Sequence, residues 1–337
     1  MSSNRIEYID AVKGFAILLM VMAHTIGWNF SDWTFLTRDI TELSVGELNA
    51  GVIWKLIYSF HMPLFFVISG YFTYKPGGVT LFNLFVGKIR RLLIPYISSG
   101  FLILFLKGYY GYWFLFSLFE LSIIGVLLFK LFSKFNRKEL WWVDLISIGI
   151  AYIVLRKFLN LSFFENHFCD IGKAAGYMLP FLFGMFLRKY ESIKEKLLSW
   201  YEFYIPFFII MFFWRYLPII EFDGVLFKIG DLFNKYLFSI MTSLMVIGCF
   251  KQGISQRIQG ILAYMGKQSL EIYIFHLFFV IQLPVIGKFW IETNLPTCLV
   301  SQVLYSLLIS CVAIIMSCKV SAFLKKNKII SKVLFGL

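Results

Sequence analysis

Long apolar runs alternate with short polar intervals along the chain, and the runs have the length that a bilayer demands. A helix crossing the hydrocarbon core needs about 20 mostly apolar residues. Ten stretches qualify, at approximately 11–30, 51–74, 91–107, 110–132, 140–159, 171–187, 199–219, 231–250, 269–290 and 298–322. The third is short and interrupted by Ile94-Pro95, a break that a membrane helix tolerates when neighbours satisfy the freed carbonyl. The pattern predicts an all-α, polytopic membrane protein of about ten transmembrane helices, forming a single transmembrane domain over residues 1–337. No internal repeat, low-complexity segment or soluble appended domain is visible in it.

Basic residues test this count, because positive charge collects in cytoplasmic loops and a missed span would exchange the sides of every later loop. With the amino terminus inside, Arg5 and Lys13 are followed on the same side by Lys75, Lys88, Arg90 and Arg91. Lys130, Lys134, Arg137 and Lys138 come next, then Arg188, Lys189, Lys194 and Lys196, then Lys251, Arg257 and Lys267. The tail adds Lys319, Lys325, Lys326, Lys328 and Lys332, whereas the outside loops hold only Arg38, Lys107, Arg156, Lys157, Arg215, Lys228 and Lys288. The bias predicts both termini in the cytoplasm, and the expected location of the multi-pass chain is the inner (plasma) membrane. The first outer loop, about Ser31 to Ala50, is acidic through Asp32, Asp39, Glu42 and Glu47, and is a candidate lid.

Composition agrees. The chain is 59% hydrophobic, 20% aromatic and 15% charged, with 40 Phe and a mean hydropathy of +0.77, against about 25% charged for a soluble globular protein. A formal charge of +13 could signal nucleic-acid binding, but the basic residues sit in short clusters between apolar runs, which reads as topology and argues against a nucleic-acid partner. Cys169, Cys249, Cys298, Cys311 and Cys318 form no C-x-x-C pair, so neither a disulfide framework nor a metal site is expected. The first apolar run has no small-residue cleavage site and reads as an uncleaved span.

Polar groups inside spans cost about 2.5–3.5 kcal/mol each when charged and central, so each needs a reason. In the first span Lys13 and His24 lie eleven residues apart, which at about 100° per residue returns to within about 20° of the same face and about 16 Å further along the axis. Asp10 falls near the same stripe. A face carrying an acid, a base and a buried imidazole lines an interior path; the alternative makes Lys13 an interface anchor and His24 a hydrogen-bonded bundle residue.

The second span contains Phe60-His61-Met62-Pro63 and Ser69-Gly70. His61 and Pro63 suggest a kinked or broken helix, and Ser69-Gly70 allows another backbone to approach closely. His61 is either a second catalytic group or a packing histidine. The cluster Lys88, Arg90 and Arg91 is a topology signal, a lipid-headgroup site, or the place where cations meet a phosphorylated cytosolic donor. Glu120 lies mid-span. In the ninth segment Ser269 is a candidate helix cap, and Tyr273 and His276 share a face at i, i+3. His167 sits in an outer loop with no evident role.

Four strings together resemble the acyltransferase-3 family of integral-membrane O-acyltransferases: Tyr8-Ile-Asp10-Ala-Val-Lys13-Gly14 through Ala23-His24; Phe60-His61-Met62-Pro63 through Ser69-Gly70-Tyr71; the basic run Lys88 to Tyr96; and Gly266-Lys-Gln-Ser269-Leu270-Glu-Ile-Tyr273 through His276. The combination is most similar to the fucose 4-O-acetylase-like branch. The resemblance covers residues 5–100 and 264–278 strongly and the region between them only in hydropathy.

It implies a ten-helix fold that takes acyl-CoA, usually acetyl-CoA, as donor substrate with no bound cofactor, and esterifies a sugar hydroxyl of a surface glycan or its lipid-linked precursor. The family's basic residue, ten intervening residues and histidine map onto Lys13 and His24, and its basic pair maps in part onto Lys88 and Arg91. Members often carry Arg where this chain has Lys13, which keeps the charge but loses the planar fork. The expected chemistry has His24 as general base or acyl acceptor. Lys13, grouped with it as a catalytic residue, binds donor phosphate or holds the cytoplasmic mouth of the path. Lys88, Arg90 and Arg91 serve the donor, and Asp10, His61, Ser69, Glu120, Tyr273 and His276 are further polar site residues. Lipids surround the chain and a second copy of it is a candidate partner. The rival class is a transporter or flippase of glycan-related substrates, since midplane His and Glu and a Pro-interrupted helix also describe a carrier.

Overall fold

The computed structural model describes residues 7–38, 42–78, 80–108, 111–159, 171–216 and 225–337. Arg5, Asp39, His167 and Cys169 lie outside the described residues. The elements in chain order begin with α1 (Glu7–Gly27), a 3-10 turn (Thr34–Thr37), α2 (Val45–Thr73), α3 (Leu81–Lys88), a π turn (Ile89–Leu93) and α4 (Ile94–Lys107). Then come α5 (Trp113–Phe135), α6 (Trp141–Leu159), α7 (Ile171–Lys189), α8 (Glu191–Ser199), α9 (Tyr201–Tyr216) and α10 (Val225–Gln252). The chain continues with α11 (Gln256–Lys267), α12 (Ser269–Phe279), α13 (Pro284–Glu292), α14 (Leu295–Leu324) and α15 (Lys328–Phe335). Among the described residues there is no strand. The protein is all-α and multi-pass.

Five helical segments among the described residues are long and apolar enough to span a bilayer: Glu7–Gly27, Val45–Thr73, Leu81–Lys107, Trp113–Phe135 and Leu295–Leu324. Helices also occupy the other expected positions, but one is not a straight span. The ninth is two helices, α12 and α13, bent by 90°. Val280 turns extended (φ −73°, ψ 119°) and Pro284 opens the next helix at its first turn, where a missing N–H costs nothing. The second is the reverse case, since α2 runs unbroken through Pro63. The third begins ten residues earlier than expected, at Leu81, and the intervals expected to be cytoplasmic, before the ninth segment and after the tenth, contain helices α11 and α15. Ser269 is the first residue of α12 and no side chain caps that helix.

The chain forms two compact units, residues 1–62 with 199–322 and residues 63–198 with 323–337. In the first, α1 packs along α11 with the two backbones touching. A Cβ added at Gly14 would meet the carbonyl of Leu262, and one at Gly266 would overlap the carbonyl of Asp10 and lie 2.9 Å from the amide of Gly14. One end of this unit closes around Phe30, Phe35, Leu36, Ile53 and Trp290. In the second unit α7 crosses α2 in the same manner, with Gly70 against Phe181 and Gly184 against Val67, the close approach expected of Ser69-Gly70.

A buried polar knot ties the α5–α6 turn of the second unit to the end of α7. Lys189 Nζ lies 2.7 Å from Asp144 Oδ2, with side-chain exposures of 6% and 0%, and Asn136 and the Tyr190 hydroxyl donate to the same carboxylate at 2.8 and 2.9 Å. Removing one partner of a buried pair costs about 3–5 kcal/mol because the other charge stays buried. Asp144→Ala is therefore expected to lower the thermal midpoint in detergent sharply, and Asp144→Asn combined with Lys189→Met to recover much of it. An unchanged midpoint for Asp144→Ala would remove the knot from the account of stability.

Candidate active site

Three of the four histidines converge in the first unit. His24, near the end of α1, and His276, in α12, lie with Nδ1 of His24 2.9 Å from Nε2 of His276. Their rings are 9° from parallel, with centroids 5.1 Å apart. The partners fix the protons. His276 Nδ1 lies 3.0 and 2.9 Å from the carbonyls of Ile272 and Tyr273, and a carbonyl only accepts, so this nitrogen carries the hydrogen. In a neutral pair Nε2 of His276 is then the acceptor, and His24 donates to it through Nδ1–H. Nε2 of His24 keeps its lone pair.

His276 is buried at 1% exposure, whereas His24 is only partly buried, so the unprotonated nitrogen belongs to the less buried member. Trp28 stacks near His24 at 6.2 Å between centroids. His61, also 1% exposed, donates through Nδ1 to the carbonyl of Ile57 at 2.8 Å, and its ring meets the edge of Tyr58, itself stacked on Trp54 at 3.9 Å. His61 lies near His24 in the same unit. Tyr273 sits 6.2 Å from His276, ring to ring.

The place of His276 depends on how α12 ends. The break after Phe279 leaves backbone amides without helical partners, which membrane interiors do not tolerate. Asn29, two residues beyond α1, accepts from the amide of Leu283 at 2.6 Å and donates to the carbonyl of Thr25 at 2.5 Å. Sequence reasoning missed Asn29. Its signal was available: a polar residue one turn past His24, with an unmatched break before Pro284 to satisfy.

Asp10 and Lys13 lie in α1, buried and half-buried respectively, and the helix rise sets Lys13 about 16 Å from His24 along the axis. The remaining candidates belong to the second unit. Glu120 is half-buried in α5, and Ser69 in α2 accepts from the Thr73 hydroxyl at 2.8 Å. Lys88 donates to that same hydroxyl at 3.0 Å, which makes Thr73 a second residue the sequence did not single out. Lys75 and Arg91 lie near enough to Lys88 to repel it, and among the described residues no carboxylate pairs with Lys88, Arg90 or Arg91. Both arginines are exposed. Such a cluster fits a phosphorylated anion. Close by in sequence, Tyr71 bonds Arg188 at 2.9 Å and Lys194 at 3.2 Å. Glu191 joins them. Partial burial raises its carboxyl pKa, but the bond and charge of Lys194 outweigh this and hold it below the ordinary range.

A family model described as an acyltransferase domain, that of the acyltransferase-3 family, matches residues 6–319. The chain belongs to the acyltransferase-3 family. Two curated relatives carry the name nodulation protein NolL. The one from Mesorhizobium japonicum is 28% identical over 175 residues, 45% of this chain and 42% of that protein. The one from Sinorhizobium fredii is 30% identical over 172 residues, 44% of this chain and 43% of that protein. These matches therefore span less than half the length of either relative. No solved structure matches this acyltransferase-3 chain.

Proposed function

We propose that this protein is an inner-membrane O-acetyltransferase that moves the acetyl group of acetyl-CoA onto a sugar hydroxyl of a surface glycan or its lipid-linked precursor. Family membership supports the reaction class, and the resemblance to the fucose 4-O-acetylase-like branch supports the sugar acceptor. The observation that carries the mechanism is the His24–His276 bond, because it leaves Nε2 of His24 as an unprotonated, oriented base.

In this reaction Nε2 takes the proton from the acceptor hydroxyl while its oxygen bonds to the thioester carbonyl carbon. The tetrahedral adduct collapses, the C–S bond breaks, and the sulfur of CoA leaves with the proton returned by His24. His276 works through His24: its lone pair holds the Nδ1–H and steadies the imidazolium that forms in between, as the orienting member of a catalytic pair does. His61 supplies a second polar nitrogen beside it. Lys88, Arg90 and Arg91 hold the phosphates of the donor, and Lys13 lies nearer the start of α1, the helix of His24.

The test of the reading is an assay of purified protein with labelled acetyl-CoA and a panel of glycan acceptors, where label transferred to no sugar under any condition would count against it. For the donor cluster, Lys88→Gln with Arg91→Gln is expected to raise the acetyl-CoA KM about tenfold or more, the cost of one or two charge-assisted contacts, and to leave the acceptor KM unchanged. Altered protein level with unaltered donor kinetics would reduce the cluster to a topology signal.

A further inference from the structure

The segment after α14, which in sequence looks like a short basic tail, folds into α15 and docks on α4 within the second unit. Its start is capped by Asn327, whose side chain accepts from the amides of Ile329 and Ile330 at 2.9 and 3.2 Å. Its end is a left-handed turn at Gly336 (φ +65°), where the amides of Gly336 and Leu337 reach back to the carbonyls of Lys332 and Ser331, the first of these being the bond of an αL cap. Phe335 is 2% exposed, with the Lys325 ammonium 5.1 Å from its ring. Ser98 of α4 donates to the carbonyl of Val333 at 2.7 Å.

What Gly336 touches is the π turn that carries the two exposed arginines. The turn exists because of Pro95. Ile94 donates to the carbonyl of Ile89, five residues back, and the next position offers no N–H. The carbonyl of Arg90 thus loses the donor that would continue the π pattern, and that of Arg91 loses its α-helical one. Gly336 packs directly on the Arg90 carbonyl: a Cβ there would overlap this oxygen and lie 3.2 Å from the Cα of Arg91. Gly336 is required twice, once for its positive φ and once for the contact. π turns are local widenings that the surrounding structure has to hold, and here the holding contact comes from the end of α15.

We propose that α15, through Gly336, is a positioning element for the donor site, fixing the π turn so that Arg90 and Arg91 present their guanidinium groups beside Lys88 to the phosphates of the acyl donor. This rests on the donor reading of the Lys88 cluster. The experiment compares Gly336→Ala and Gly336→Asn in the full chain, with Ser98→Ala as the mild variant. Asn accepts a positive φ readily but brings the Cβ that the Arg90 carbonyl excludes, so it separates the contact from the turn conformation.

The expected result is an acetyl-CoA KM raised about tenfold for both Gly336 variants, the scale of loosening a charge-assisted contact. Ser98→Ala should raise it less, with kcat and the acceptor KM within twofold throughout. A wild-type donor KM for Gly336→Asn would overturn the proposal, and so would equal rises in both KM values. The Lys88→Gln, Arg91→Gln protein run alongside separates the two ideas: if it raises the donor KM while the Gly336 variants do not, only the positioning role fails, and if it too leaves the donor KM unchanged the donor reading fails with it.

Discussion

His24→Ala is expected to assemble normally and to lose about 10²–10⁴-fold in turnover, the range for removing a general acid–base catalyst. The size follows from the geometry. Its Nδ1 bonds Nε2 of His276 at 2.9 Å, and His276 cannot turn away without abandoning two carbonyls. Once the imidazole is gone, the ring that remains is His276, buried and held in place by the carbonyls of Ile272 and Tyr273. The two residues act as one device, so His276→Ala should cost less than His24→Ala. The double variant should cost no more than His24→Ala alone, the non-additivity expected of a catalytic unit. Independent, additive losses measured on folded protein would separate His276 from the mechanism.

The second large effect is remote from the chemistry. Gly266→Ala adds one methyl group where α11 meets the backbone of α1 at Asp10 and Gly14. Neither backbone can yield as a flexible side chain would, so the helices must part. Overpacking of this kind costs about 1–3 kcal/mol in stability, but the larger consequence is geometric. α11 leads within two residues into α12, which carries His276, and α1 carries His24. A separation of about 1 Å at a catalytic pair can cost about 10²-fold in rate, and a loss of that order in turnover per folded molecule is expected for Gly266→Ala. Gly260→Ala, on the same helix with open space at its Cβ, is the control and should behave as wild type. Equal activity in the two variants would show that the α1–α11 contact does not set the site.

Much of this was legible in the sequence, and the remainder has identifiable physical reasons. Hydropathy located the helices because a membrane span is a local, length-limited signal. It misread the ninth segment, where α12 and α13 together stay apolar enough to pass for one span and only Pro284 marks the bend. The short amphipathic helices α11 and α15 went unseen because their charges resemble loop charges. Their role lies in what they pack against, Gly14 of α1 and the π turn at Arg90. His24 and His276 were each singled out from local pattern, but their bond joins residues 252 positions apart, and no periodicity reports a contact of that range. The same holds for Thr73, whose role is seen only once Lys88 has folded back onto it.

The central claim is that the free Nε2 of His24 is the base, and the most direct measurement is turnover per folded molecule for His24→Gln with labelled acetyl-CoA and a glycan acceptor. Gln keeps a polar group of similar reach that can still bond His276, but it has no titratable nitrogen. A folded protein with near-normal donor KM and a turnover almost as low as that of His24→Ala is expected; a fully active His24→Gln would contradict the role of His24 as base and make it a structural residue.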